Sequence, residues 1–232
     1  MKHSNKMIPA AAILLTTIGL AGCADDGAAG SKDNAMAMKE TPAPEPKAAA
    51  SESEVTPLKV GDKAPSATLR RPDGTPVALA DLYASKPTVL IFYRGGWCPY
   101  CNVHLGQVAK AEAELLALGY QVVAISPDEP AALKKSIEKE KLAYQLLSDS
   151  ELMLAKSFGL AFEVDENTVA KYKTYGIKLQ QPADESHHLL PVPAVYIIDR
   201  DGEIQYAYWN ADYKSRLDSK VLISEARRVA GK

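Results

Sequence analysis

From Leu58 to the C-terminus, apolar residues follow two rhythms. Thr88–Tyr93 is an unbroken apolar run, as expected of a strand covered on both faces. Directly after it, Cys101, Leu105, Val108, Ala111, Leu115 and Leu118 recur every third or fourth residue. That spacing predicts a helix from about Cys98 to Leu118 with the stripe turned inward. Gly119 ends the stripe, and Tyr120–Ser126 predicts the next strand. Ser126-Pro127-Asp128-Glu129 has the form of a capping box and predicts a helix to about Lys141. Gln145–Leu147 reads as a short strand, and Glu151–Phe158 as a short helix stopped at Gly159. Within Ala161–Leu190 a helix is predicted near Glu166–Tyr175, followed by a polar loop. Ala194–Asp199 and Glu203–Trp209 flank Asp201-Gly202 as a hairpin, and a last helix covers about Asp218–Ala230. Before the first buried run, Ser66–Arg70 and Pro76–Leu79 flank the turn signal Pro72-Asp73-Gly74. Strands alternating with helices indicate an α/β domain over residues 58–232.

Neither rhythm reaches the first 57 residues. Lys2 and Lys6 precede a charge-free stretch from Met7 to Gly22 that is shorter than a spanning helix needs. It reads as a secretory signal, residues 1–22, to be set apart from the fold. Its end, Leu20-Ala21-Gly22-Cys23, resembles a bacterial lipoprotein processing box, in which the cysteine becomes the lipidated first mature residue. The expectation is a protein of the bacterial cell envelope, facing the periplasm or exterior and held to a membrane only through lipid on Cys23. Residues 23–57 are rich in alanine and proline and have no aromatic residue, and are expected to form a disordered tether.

Charge narrows the function classes. The chain has 27 basic and 29 acidic residues, and the residues after the tether balance. No basic stripe or phosphate-binding glycine loop is present, so nucleic acid is not an expected partner. With Cys23 assigned to lipid, Cys98 and Cys101 remain as a pair where a buried strand hands over to a helix. A thiol at a helix N-terminus meets the positive end of the dipole and unpaired backbone N–H groups, which favour the thiolate. With two residues between them, the second cysteine lies one turn on and can resolve a mixed disulfide made by the first. Cys98 is therefore expected to be exposed and attacking, and Cys101 buried and resolving. Half of a zinc site, completed by His104, His187 or His188, and an inert structural pair are the competing readings.

Several segments together carry a family resemblance: Val60–Pro65, Asp73-Gly74, Phe92-Tyr93-Arg94-Gly95-Gly96-Trp97-Cys98-Pro99-Tyr100-Cys101, Ala124–Asp128 and Pro191–Gly202. They resemble the peroxiredoxin-like branch of the alkyl hydroperoxide reductase/thiol-specific antioxidant family. The resemblance implies a thioredoxin fold, with a central mixed sheet flanked by helices and an N-terminal β-hairpin extension. It also implies a thiol-based oxidoreductase that uses no cofactor and takes electrons from a thioredoxin-like donor. Pro193, preceded by Val192, resembles the cis-proline that faces the cysteine pair in this fold, where the preceding residue offers backbone groups to substrate. Trp97 resembles the tryptophan that flanks the substrate groove.

Two departures from the peroxiredoxin pattern shape the functional expectation. With Cys101 in the register of the peroxide-attacking cysteine, the motif's proline becomes Arg94 and its threonine becomes Cys98. The family's arginine falls on Pro193 when Ile197-Ile198-Asp199 are aligned without gaps. Losing both groups that polarise the O–O bond favours thiol–disulfide exchange, on disulfides or oxidised thiols, over peroxide reduction. A thiol peroxidase acting on hydroperoxides is the alternative, in which Arg94 would supply the missing cation or lower a thiol pKa. A copper-handling protein is a third reading, since soft thiolates suit Cu(I).

Overall fold

The computed structural model describes residues 45–231. A hairpin, β1 (Thr68–Arg70) and β2 (Pro76–Ala78), leads into a short helix α1 (Leu79–Ser85). Then follow β3 (Thr88–Phe92), α2 (Pro99–Ala117), β4 (Gln121–Ser126), α3 (Pro130–Glu140), β5 (Gln145–Ser148) and α4 (Met153–Ser157). The second half contains β6 (Ala161–Glu163), α5 (Glu166–Thr174), β7 (Leu189–Pro191), β8 (Ala194–Ile198), β9 (Ile204–Trp209) and α6 (Ser219–Val229).

Seven strands form one mixed sheet in the order β2-β1-β5-β4-β3-β8-β9, and β6 and β7 pair apart from it. β3, β4 and β5 run parallel, while β8 lies antiparallel on the other side of β3. The central position of β3 explains its unbroken apolar run, since all five of its residues are buried. The period of two in each strand divides the core between the two faces. Leu90, Phe92, Val123, Ile125, Tyr196 and Ile198 enter one apolar cluster with α1, α4 and the β6–β7 pair. Val89, Ile91, Val122, Ala124, Val195 and Ile197 enter the other, with α2, α3 and α6. Both cysteines of the pair belong to this second cluster.

The mixed sheet, the flanking helices and the hairpin extension agree with the expected fold class, and three details differ. Leu79–Ser85 is helical beyond the hairpin because Leu79 and Leu82 share one face and are both buried. The capping box over Ser126–Glu129 does not form. Ser126 Oγ bonds Asp128 instead, and α3 starts at Pro130 with no side-chain cap. Ala161–Glu163 and Leu189–Pro191, with no alternating pattern to mark them, pair as β6 and β7.

The last part of the expected tether is packed on the domain. Ala49 N–H donates to Ala161 O at 2.9 Å and Glu163 N–H donates to Ala49 O at 2.8 Å, so the arm adds to the edge of β6. Val55 is buried in the first apolar cluster. Composition argued against order because the arm has few apolar side chains. Backbone pairing uses groups that every residue carries, and a sheet edge offers them partners. The signal segment, Cys23 and the first part of the tether lie outside the described residues. Among the described residues no helix is long and apolar enough to cross a membrane.

Candidate active site

The approach from β3 to α2 is set by two glycines. Gly95 has φ +145°, and a Cβ there would lie 2.4 Å from Trp97 Nε1, so no side chain fits. Gly96 N–H donates to Asp128 Oδ2 at 2.8 Å, and Asn102 Nδ2 donates to Gly96 O at 3.0 Å. The turn is thereby fastened to the end of β4 and to the first turn of α2. Pro99 then occupies the first helical position, where a missing N–H costs nothing.

Cys98 is the N-cap of α2, and its Sγ accepts from Cys101 N–H at 3.4 Å. Its pKa is lowered to about 6, first by the hydrogen bond from the Cys101 thiol, then by the Cys101 N–H and the charges of Arg94 and Arg216, against the effect of burial. Cys101 moves the other way: burial, its thiol's bond to Cys98 and the adjacent thiolate all raise it. The pair therefore holds one proton near neutrality, with Cys98 as thiolate and Cys101 as donor. The expected exposure of Cys98 is corrected. Cys98 is only 1% exposed and Cys101 is fully buried. The reason is the packing of Cys98 into the second apolar cluster, alongside the half-buried Trp97.

Arg94 is held away from solvent. It is 5% exposed, its Nη2 donates to Tyr172 Oη at 2.6 Å, and its guanidinium lies 4.1 Å from the ring centre of Tyr213. Trp97 faces it at 5.2 Å and stacks at a tilt on Tyr172, with ring centres 5.3 Å apart. The aromatic faces lower the cost of holding a cation out of water.

A second guanidinium, which sequence reasoning did not find, lies at the cysteine pair. Arg216, in the loop between β9 and α6, directs Nη2 at Cys101 Sγ at 3.5 Å. Its Nη1 donates to the carbonyls of Tyr213 and Ser215, which sets its direction. It stands 115 positions from Cys101, so no spacing in the chain announces it. Tyr172 and Tyr213 were missed for the same reason. His104, on α2 beyond Cys101, is buried and lowered to about 4, mainly by burial and secondly by Arg216, and so is neutral.

Pro193 does not reproduce the cis-proline. No peptide bond among the described residues is cis. Val192-Pro193 bridges β7 to β8, and Val192 N–H already donates to Leu160 O at 2.9 Å while Pro193 O accepts from Asn210 N–H. Val192 is fully buried, and its N–H is not available to a substrate chain. The extended path between two strands suits the default trans bond.

His187 is near Glu163, with Nδ1 to Oε2 at 3.3 Å, and neither it nor His188 bonds the thiols. Among the described residues no three metal-ligating side chains converge. His187, Arg94, Val192 and Pro193 do share one cleft, of about 530 Å³, whose lining includes neither Cys98 nor Cys101.

Three comparisons bear on this arrangement. The family model described as AhpC/TSA family matches residues 60–207. The chain is 30% identical over 170 residues to "Peroxiredoxin Bcp" of Escherichia coli strain K12, covering 73% of this chain and 96% of that protein. Reduced Prx3 of Vibrio vulnificus, crystallised with H2O2, is similar with a TM-score of 0.60 at 20% identity, over 73% of this chain and 99% of the other. Peroxidoxin BcpB of Mycobacterium tuberculosis is similar with a TM-score of 0.58 at 22% identity, over 75% and 97%. The two structural likenesses speak to the fold alone.

Proposed function

The chain belongs to the AhpC/TSA family and is a thiol-based oxidoreductase, and from that premise we propose that it is a thiol peroxidase rather than chiefly a disulfide reductase. The observation that carries the reading is the Cys98 thiolate, buried at the start of α2, with a pKa lowered to about 6 in part by the charges of Arg94 and Arg216. A small oxidant needs an opening about the size of a water molecule, ~30 Å³. A protein disulfide needs the sulfur brought to the surface and an edge along which to lie, and the Val192 N–H is already spent on Leu160 O. The preference for disulfide exchange rested on two missing peroxide-polarising groups. Arg94 and Arg216 occupy that role from other positions in the chain.

In the proposed reaction the Cys98 thiolate attacks the terminal oxygen of a hydroperoxide. The O–O bond breaks, an alcohol or water leaves after taking a proton, and Cys98 becomes a sulfenic acid, oxidised by two electrons. The Cys101 thiol then attacks the Cys98 sulfur, the S–S bond forms, and the sulfenic oxygen leaves as water. A thioredoxin-like dithiol donor returns two electrons. The Arg94 and Arg216 charges stabilise the thiolate before reaction, and the same groups face the negative charge that develops on the leaving oxygen.

The test is a paired rate measurement on reduced protein, with hydrogen peroxide and with a protein disulfide. Peroxide is expected to react on the order of 1,000-fold faster than with a free cysteine, which two preorganised donors can supply. A peroxide rate equal to that of a free thiol, with rapid disulfide reduction, returns the reading to disulfide exchange. We further propose that the protein is anchored in the cell envelope through lipid on Cys23, on the strength of the Leu20–Cys23 box. Cys23→Ser is expected to release it from the membrane fraction, and recovery of the wild type entirely in the soluble fraction would refute the anchor.

A further inference from the structure

The cleft of about 530 Å³ lies within the size range of small-molecule sites and carries opposite charges at two depths. Arg94, 5% exposed, is the buried charge of its lining, while Glu52 and Glu166 are exposed and stand at its rim. Phe162 and Leu190, both buried, supply apolar wall. The other charges of the lining are partly spent or face solvent. Glu163 is engaged with His187, Asp165 caps α5 through the Thr168 N–H, and Lys171 is exposed.

Arg94 sets this lining apart from an acidic surface, because it is held out of water without a counter-charge. Its Nη2 donates to Tyr172 Oη, its Nε has no hydrogen-bond partner, and no ion pair among the described residues includes it. The rings of Trp97, Tyr172 and Tyr213 offset part of that cost, but none of them carries a negative charge. A cation in this state gains most from a small anion that enters the cleft. A simple anion is repelled by Glu52 and Glu166 on the way in. A molecule with an ammonium group behind its carboxylate meets no such barrier, since the same two side chains attract its other end.

We propose that this cleft binds a small zwitterionic peptide, with its carboxylate on Arg94 and its ammonium group at Glu52 and Glu166, and that binding opposes the Cys98 thiolate. The ligand needs no access to either sulfur, because its effect passes through Arg94. The guanidinium that holds the ligand's carboxylate is also one of the charges that favour the Cys98 thiolate. Ligand and thiolate therefore compete for one positive charge, and by linkage each weakens the other. The inference is independent of whether a peroxide or a disulfide oxidises the pair.

The experiment uses diglycine and triglycine, which carry no thiol, with their N-acetyl forms, which lack the ammonium group, and their C-terminal amides, which lack the carboxylate. Each is titrated calorimetrically into the reduced full-length protein at low salt and about pH 7, where Cys98 is ionised and a peptide amine is still largely protonated. At least one of the unblocked peptides is expected to bind about tenfold more tightly than either of its blocked forms, the scale of one charge pair near a protein surface. Arg94→Met should remove its advantage over the amide, and Glu52→Gln/Glu166→Gln its advantage over the N-acetyl form. Cys98→Ser, which removes the thiolate and keeps a good N-cap residue, should bind the same peptide several-fold more tightly than the wild type does. Binding of none of these molecules, or an unblocked peptide no tighter than its blocked forms, would overturn the proposal. So would a preference that survives both the arginine and the glutamate variants, or equal affinity in Cys98→Ser and the wild type.

Discussion

Cys98 and Cys101 are the same residue type one helical turn apart, in one apolar cluster, yet the fold drives their ionisation in opposite directions. Burial raises both. What separates them is the set of donors each sulfur meets. Cys98 is placed outside the first turn of α2, where it accepts the Cys101 N–H, the Cys101 thiol proton and the fields of two guanidiniums. Cys101 lies inside the turn, where its own N–H is spent on Cys98, its thiol proton is committed, and Arg216 is the main compensating charge. A single helical turn therefore separates identical side chains into thiolate and proton donor, chiefly because the Cys101 thiol donates to Cys98 and secondly because the Cys101 N–H at the helix start points the same way.

The most severe way to break this asymmetry is to remove either sulfur. Cys98→Ser is expected to lower the peroxide reaction by at least about 1,000-fold, since a serine hydroxyl is not ionised near neutrality. Cys101→Ser should retain the first oxidation but stop turnover, with one equivalent of sulfenic acid trapped on Cys98 and read by mass spectrometry after dimedone labelling. Trapping on Cys101 in the Cys98→Ser variant, at the wild-type rate, would reverse the roles.

Removing the guanidinium on the Cys101 side comes next. Arg216→Met is expected to lower the peroxide rate by about 100-fold, the usual cost of losing one preorganised donor. Arg216→Lys should recover only part of it, because a lysine cannot hold the Tyr213 and Ser215 carbonyls and reach Cys101 Sγ with the same planar group. A stopped-flow comparison of the two variants decides between a directed donor and a simple charge.

His104 tests the packing beneath the same turn. Its folded-state pKa of about 4 lies below the ordinary 6.5, so the unfolded chain binds the extra proton as pH falls through 6.5. Stability is therefore constant above about 6.5 and declines as pH drops toward 4, by on the order of 3 kcal/mol from this residue. His104→Leu should flatten that part of the urea-denaturation profile. An unchanged slope in the variant would place the acid sensitivity elsewhere.

The smallest expected effect sharpens the Cys98 side. The rate of peroxide reaction in the wild type should rise with pH and level off above about 6 as Cys98 ionises. Arg94→Met removes a cation that favours the thiolate and faces the leaving oxygen, so the inflection should move upward and a loss of roughly tenfold should remain at high pH. Ultraviolet thiolate absorbance read alongside the rate separates a shifted pKa from a misplaced sulfur. An unmoved inflection would deny Arg94 any electrostatic hold on Cys98.

Much of the fold could be read along the chain because it depends on local rhythm. The unbroken run at Thr88–Tyr93 marks the central strand, and the stripe from Cys101 to Leu118 marks α2 to within a residue of its observed end. Pairings without such a rhythm were not legible. Ala161–Glu163 and Leu189–Pro191 are three residues each and become strands only by meeting one another, and the arm at Ala49 joins them through backbone groups that carry no side-chain signal. The CxxC spacing, the N-cap position of Cys98 and the order of the two thiols are likewise properties of a short segment. The polarising groups are not. Arg94 reads as a loop residue until Tyr172 and Tyr213 close on it, and Arg216 acquires a role only when the β9–α6 loop folds back over α2. Periodicity and capping arise from neighbours in the chain, whose geometry the backbone enforces, whereas burial and charge pairing depend on groups that the chain brings together from far apart. The thiol pair could therefore be located from the order of residues, while its isolation from solvent and its two guanidiniums, on which the choice between disulfide and peroxide rests, were decided by tertiary packing.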